Sequence, residues 1–159
     1  MLELQTLLEL YKNASDTRNP NKLTKFFRSI EATPLPTSIA IDKARAIQLS
    51  DGNEYSIKDA EDILRQIIKI DPSAVAAYLE LGCLLDAVLE RSDEAVEMFN
   101  NGINRANALL GELYHEKAKI HLSRGEFSEV LTILELYAKD DMQLRIIYEE
   151  ALSIKNTED

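Results

Sequence analysis

DAEDILRQIIKI (residues 59–70), EAVEMFNNGI (94–103) and EVLTILELYA (129–138) stand in one register, and their common spacing decides the fold. Ala60, Ala95 and Val130 are 35 residues apart. So are Ile63, Met98 and Ile133; Leu64, Phe99 and Leu134; and Ile68, Ile103 and Ala138. A fixed period of this length marks stacked helical repeats, in which each unit buries its apolar face against the next. Asp59, Glu94 and Glu129 each precede the small residue, where a carboxylate in the first turn of a helix meets the positive end of the dipole. Between these helices the matching residues shift by 36: Tyr78 to Tyr114, Gly82 to Ala118, Leu85 to His121. The extra residue belongs in a loop.

Ahead of the repeats, Leu4, Leu7, Leu8 and Tyr11 fall at i, i+3, i+4 and i+7 and predict a helix over about 2–13 with one apolar stripe. The turn NASDTRNPN ends in Asn19, a capping residue, and Pro20, which suits the first helical position because its missing N–H has no partner there in any helix. A second helix to Ile30 carries Leu23, Phe26, Phe27 and Ile30 on one face, so residues 1–31 read as a hairpin. EATPLPTS is a connector, since each proline pushes its predecessor out of helical geometry. A third helix over about 38–49 has Ile39, Ala40, Lys43, Ala46 and Ile47 at its seam. Ser56 with Asp59 resembles a capping box, and Asp71 and Pro72 close the fourth helix after Ile70. Helices follow over about 73–90, 93–107, 109–123 and 126–138. A last one over 141–156 buries Leu144, Ile147, Ala151 and Ile154 and exposes Glu149, Glu150 and Lys155, as a terminal cap should.

At 159 residues the chain has the size of one domain, 1–159, long enough to bury a core. Five glycines, four prolines and almost no β-branched alternation read as all-α. The net charge of −10 opposes nucleic acid and anionic membrane as main partners; it is compatible with a basic protein partner and equally with acids that only solvate the surface. Residues 1–30 carry five bases and three acids, +2, which leaves −12 for the remainder. The single cysteine, Cys83, cannot form an internal disulfide, and the charged start MLELQTLLELYKN reads neither as a secretory signal nor as a membrane span; the expected location is the cytoplasm.

Tyr78, Leu81, Gly82, Ala95 and Phe99, with Gly102 in place of the usual alanine, resemble one unit of the tetratricopeptide repeat family. Ala60, Leu64, Ile67 and Pro72 resemble the second helix of the preceding unit. Tyr114, Ala118, Gly125, Phe127, Val130 and Leu134 resemble a looser third, with Lys117 and Tyr137 departing from the pattern. The resemblance covers about 57–138 and implies a right-handed superhelix of stacked hairpins, about nine helices in all, with repeats over 38–138. It also implies a concave groove lined by the first helix of each pair, here Leu79, Glu80, Cys83 and Asp86, then Glu112, His115, Glu116 and Lys119. Members that grip a terminal carboxylate place Lys, Asn and Arg at such positions; Leu79, Glu80 and Cys83 stand there instead.

Catalytic and metal-binding patterns are absent from the residue spacing. His115 and His121 are six apart, on different faces of a helix, whereas a zinc-protease helix needs histidines four apart. No glycine-rich phosphate loop with its Lys and Ser or Thr is present. Cys83 would sit among apolar neighbours as a small hydrophobe. The expected function is a non-catalytic adaptor without cofactor or metal, taking a peptide or helix of a protein partner in an acidic groove. The alternative is an immunity-type inhibitor that neutralises a basic toxin or enzyme by charge complementarity. An enzyme is the third reading, and would require Glu80 and Glu116 to converge in a polar cleft.

Overall fold

The computed structural model describes residues 4–52, 54–135 and 142–158. Among them are eight helices: α1 (Leu4–Ser15), α2 (Pro20–Ser29), α3 (Thr37–Leu49), α4 (Ile57–Ile70), α5 (Val75–Ala87), α6 (Ser92–Ser123), α7 (Phe127–Leu134) and α8 (Met142–Glu158). The all-α expectation is met. The positions expected at Tyr137 and Ala138 lie outside the described residues. Chain length suggests one domain; residues 1–103 and 104–159 form two compact units.

Unit 1 is built around α3, which is apolar on two faces. Ile39 and Ala46 meet Leu7 of α1 and Phe27 and Ile30 around α2, while Ile41, Ala44 and Ile47 meet α4 and α5. The far wall of the larger cluster comprises Ala60, Leu64 and Ile67 of α4, Ala77, Leu81, Leu84 and Leu85 of α5, and Ala95 of α6. α1 and α2, read from the sequence as a hairpin, contact one another, with the Tyr11 and Phe27 rings 6.3 Å apart. Its stripe is narrower than expected: Leu7 is buried but Leu4 and Leu8 are exposed. Asn19 Oδ1 accepts from the amides of Asn21 (3.0 Å) and Lys22 (3.3 Å), starting α2 at Pro20. The Ser56–Asp59 capping box closes in both directions although Asp is shorter than the usual Glu: Ser56 N donates to Asp59 Oδ2 (2.7 Å) and Asp59 N to Ser56 Oγ (3.3 Å).

Two glycines bring α5 and the first turns of α6 close together. A Cβ on Gly82 would lie 2.4 Å from the Phe99 ring, and one on Gly102 would lie 3.0 Å from Tyr78 Cβ. The Phe99 ring fills the space that a side chain on Gly82 would need, and Tyr78 Cβ crowds Gly102, so each glycine packs directly against its aromatic partner. Charge joins the same elements. Glu61 on α4 accepts from Arg65 (2.8 Å) and Arg91 (3.0 Å), and Glu94 in the first turn of α6 accepts from both arginines. Burial alone would raise the Glu61 carboxyl, but these bonds hold it below the usual range.

Unit 2 has its own core. Ala118 of α6, Val130 and Leu134 of α7, and Leu144, Ile147 and Ala151 of α8 are buried together. α6 ends in a Schellman arrangement: Gly125 has φ +72°, its N–H reaches Leu122 O (3.0 Å), and Glu126 N–H reaches His121 O (3.0 Å). A left-handed residue is needed there, and glycine supplies it without a Cβ clash.

The main departure from expectation is α6. Two helices, 93–107 and 109–123, were expected with the slack residue of the 36-residue shift between them; one helix runs through Ser92–Ser123. Nothing in NRANALL stops a helix: it has no proline or glycine, and Ala106, Ala108, Leu109 and Leu110 are strong helix formers. Gly111 sits inside the helix, where a single glycine costs only about 1 kcal/mol. About nine helices therefore become eight among the described residues.

Candidate binding surfaces

The residues expected to line a groove fall into two sets, Leu79, Glu80, Cys83 and Asp86 in unit 1 and Glu112, His115, Glu116 and Lys119 in unit 2. On α5 the buried face carries Tyr78, Leu81 and Leu85, and the opposite face leaves Leu79, 53% exposed, beside exposed Cys83 and Asp86. Cys83 is thus a surface thiol rather than a small hydrophobe in the core. Its i+4 spacing from Leu79 places both on the side of α5 away from the apolar cluster.

Glu80 is not a free charge. Arg45 of α3 binds both Glu80 and Asp42, and Tyr11 of α1 donates to Asp42 at 2.5 Å. The chain Tyr11–Asp42–Arg45–Glu80 fastens α1, α3 and α5 side by side. Asp86 accepts from Ser92 Oγ at 2.7 Å, at the start of α6. In unit 2, Glu116 holds Lys119 at 3.1 Å and lies 3.2 Å from His115 Nδ1, while Glu112 is exposed. Much of the expected acidity is therefore already spoken for within each helix or by its neighbour.

A recess that residue spacing did not point to lies in unit 1 beside α3 and α4. Its polar part, about 490 Å³, is bounded by Arg28, Glu31, Lys43, Tyr55 and the first turns of α4, with Glu54 at one side. Its apolar part, about 300 Å³, is bounded by Leu35, Ala40, Ile63, Ile67 and Ile70. Lys43, Ile63 and Gln66 border both, so the two are one trough. The connector bearing Leu35 forms one wall because its prolines keep it out of either helix.

Glu31 organises the polar end. It accepts from Tyr55 Oη (2.7 Å), Lys43 Nζ (3.2 Å) and Arg28 Nη1 (3.1 Å). Burial pushes the Glu31 carboxyl up, but these donors together hold it below the usual range. Lys43, only 8% exposed, also places its ammonium 4.4 Å from the centre of the Tyr55 ring. Residue spacing marked Lys43 as a seam residue but could not show that its charge is balanced by a glutamate twelve positions earlier. Across the trough, Glu54 has a buried Oε2 with no hydrogen-bond partner among the described residues, and Asp62 is at the surface, paired with Lys58 at 3.1 Å.

Two phenols titrate late. Burial, then the hydrogen bond to Asp42, pushes Tyr11 up to about 12, and burial with the bond to Glu31 raises Tyr55 as well. A pKa raised on folding stabilises the native state below the unfolded phenol pKa of about 10, and that contribution is lost as pH climbs through the folded value. The melting temperature is therefore expected to fall between pH 10 and pH 12, and to fall less in Tyr11→Phe than in the parent. Equal slopes in the two proteins would show that the Tyr11–Asp42 bond is not formed in solution.

Among the described residues, no three His, Cys, Asp or Glu side chains are grouped so as to hold a metal ion, and no helix is long and apolar enough to cross a membrane. No protein-family model, no curated protein and no solved structure matches this chain.

Proposed function

We propose that this protein is a non-catalytic interaction module of the stacked-hairpin, tetratricopeptide-like kind, acting in the cytoplasm on a peptide or helix of a basic protein partner. The observation that carries the reading is the exposed face of α5, where Leu79, Cys83 and Asp86 stand in the open beside a helix otherwise buried in the core. An apolar anchor next to acids is the composition of a contact patch, with the anchor holding the complex and the rim steering encounter. The stacked-hairpin architecture is supported by α3, which neighbours both α4 and α5, the relation between successive pairs in such arrays. The net charge of −10 supports a basic partner. It supports equally the second reading, an inhibitor of a basic toxin or enzyme.

Affinity capture from the native host identifies the partner, and variants then test the surface. Leu79→Lys and Glu116→Lys both change exposed side chains, so helicity is expected to be retained. Leu79→Lys is expected to weaken binding about tenfold, the equivalent of one apolar anchor, mainly through faster dissociation. Glu116→Lys is expected to slow association and to reduce its salt dependence. A folded Leu79→Lys variant that binds with parental kinetics would refute the α5 surface, and a folded Glu116→Lys variant that does so would refute a contribution from the exposed face of unit 2. A partner whose catalytic activity disappears on stoichiometric binding would establish the inhibitor reading over the adaptor.

A further inference from the structure

We propose that the trough beside α3 and α4 is a second docking site, which takes an extended segment of a partner protein with a lysine or arginine at one end and aliphatic residues at the other. The floor explains the order of the two ends. Asp59, Asp62, Ile63, Gln66, Ile67 and Ile70 follow one another at i, i+3, i+4, i+7, i+8 and i+11, a single face of α4 that changes from acidic to apolar along its length. Eleven residues of helix rise about 17 Å, the reach of about five extended residues. Ile70, at the far end, is 74% exposed, an aliphatic side chain at the end of a helix with nothing over it.

Charge decides the sign of the guest. The polar end has four carboxylates, Glu31, Glu54, Asp59 and Asp62, against two cations, Arg28 and Lys43. Both cations already bind Glu31, so an anionic guest would have to displace that carboxylate from three donors. A cationic guest leaves those three bonds in place. It shares Asp62 with the surface Lys58, its ion pair among the described residues, and faces Glu54 at the side of the trough. The site is separate from the exposed face of α5 and stands or falls independently of it.

Capped six-residue peptides with arginine at one terminus and two leucines at the other, in both chain directions, are titrated into the full chain and followed by amide NMR. One direction is expected to give saturable shifts at Tyr55, Ile63, Gln66 and Ile70. Replacing the arginine by glutamate, or both leucines by serine, is expected to abolish them. Asp62→Lys is expected to weaken binding about two- to fivefold and Ile70→Ser about tenfold, the former as an exposed ion pair and the latter as lost apolar burial. Both side chains are at the surface, so retained spectral dispersion separates binding from folding. The proposal is overturned by no saturable shift in either direction, by equal binding of the glutamate peptide, or by binding that salt removes and Ile70→Ser does not change. Shifts confined to Leu79 and Cys83 would also overturn it while supporting the α5 surface.

Discussion

Gly82→Leu loses about 3 kcal/mol of stability, the upper end of overpacking costs, even though leucine is the better helix former by roughly 1 kcal/mol. The new Cβ would stand 2.4 Å from the Phe99 ring, well inside contact distance, and three more carbons would follow it into the same space. Chemical denaturation of the parent and variant measures the loss. Phe99→Ala supplies the control, because it empties the space the leucine needs. Alone it destabilises by leaving a cavity, yet the double variant is expected to be more stable than additivity of the two single losses predicts. A Gly82→Leu protein as stable as the parent, or losses that simply add, would mean that Phe99 does not pack on Gly82.

Ala108→Pro is the second large effect. Within a continuous α6 the proline removes the hydrogen bond to the carbonyl of Asn104 and its ring collides with that carbonyl, at a cost of about 3 kcal/mol; Ala108→Gly costs about 1 kcal/mol. If residue 108 were instead the turn between two helices, proline there would be neutral or mildly stabilising. Circular dichroism and the denaturation midpoint distinguish the cases. Unchanged helicity and stability in Ala108→Pro would restore the pair of shorter helices.

The spacing of 35 was legible because it reports burial. Ala60, Leu64 and Ala95 are buried in the core of unit 1, with Phe99 packed against it, and Val130 and Leu134 are buried in the core of unit 2. It fails at Ile103, which is 55% exposed, close to where the expected turn is replaced by helix. A repeat register requires a loop somewhere near residue 108, but local propensity decides whether a loop forms, and Ala106 to Leu110 favours helix. The caps at Asn19 and Ser56 were legible because they are local, resting on side chains within three residues of their amides. The trough was not, since Arg28, Glu31, Lys43, Tyr55 and Gln66 come together only after α2, α3 and α4 have packed. Glu80 differs: its neutralising partner, Arg45, is 35 residues away, one repeat period, but a shared register marks equivalent positions and does not show that their side chains pair.

The chain contains no tryptophan and six tyrosines, so its near-ultraviolet absorbance belongs almost entirely to phenol rings. Tyr11 and Tyr55, whose hydroxyls are held by Asp42 and Glu31, ionise later than an unperturbed phenol. An alkaline spectrophotometric titration should therefore show a delayed phenolate fraction. That fraction is an intrinsic optical gauge: it reads the Tyr11 bond between α1 and α3 and, through Tyr55, the polar end of the trough, without any label. A peptide seated over Tyr55 would change the late portion of the curve, turning ionisation of the protein's own chromophores into a binding signal.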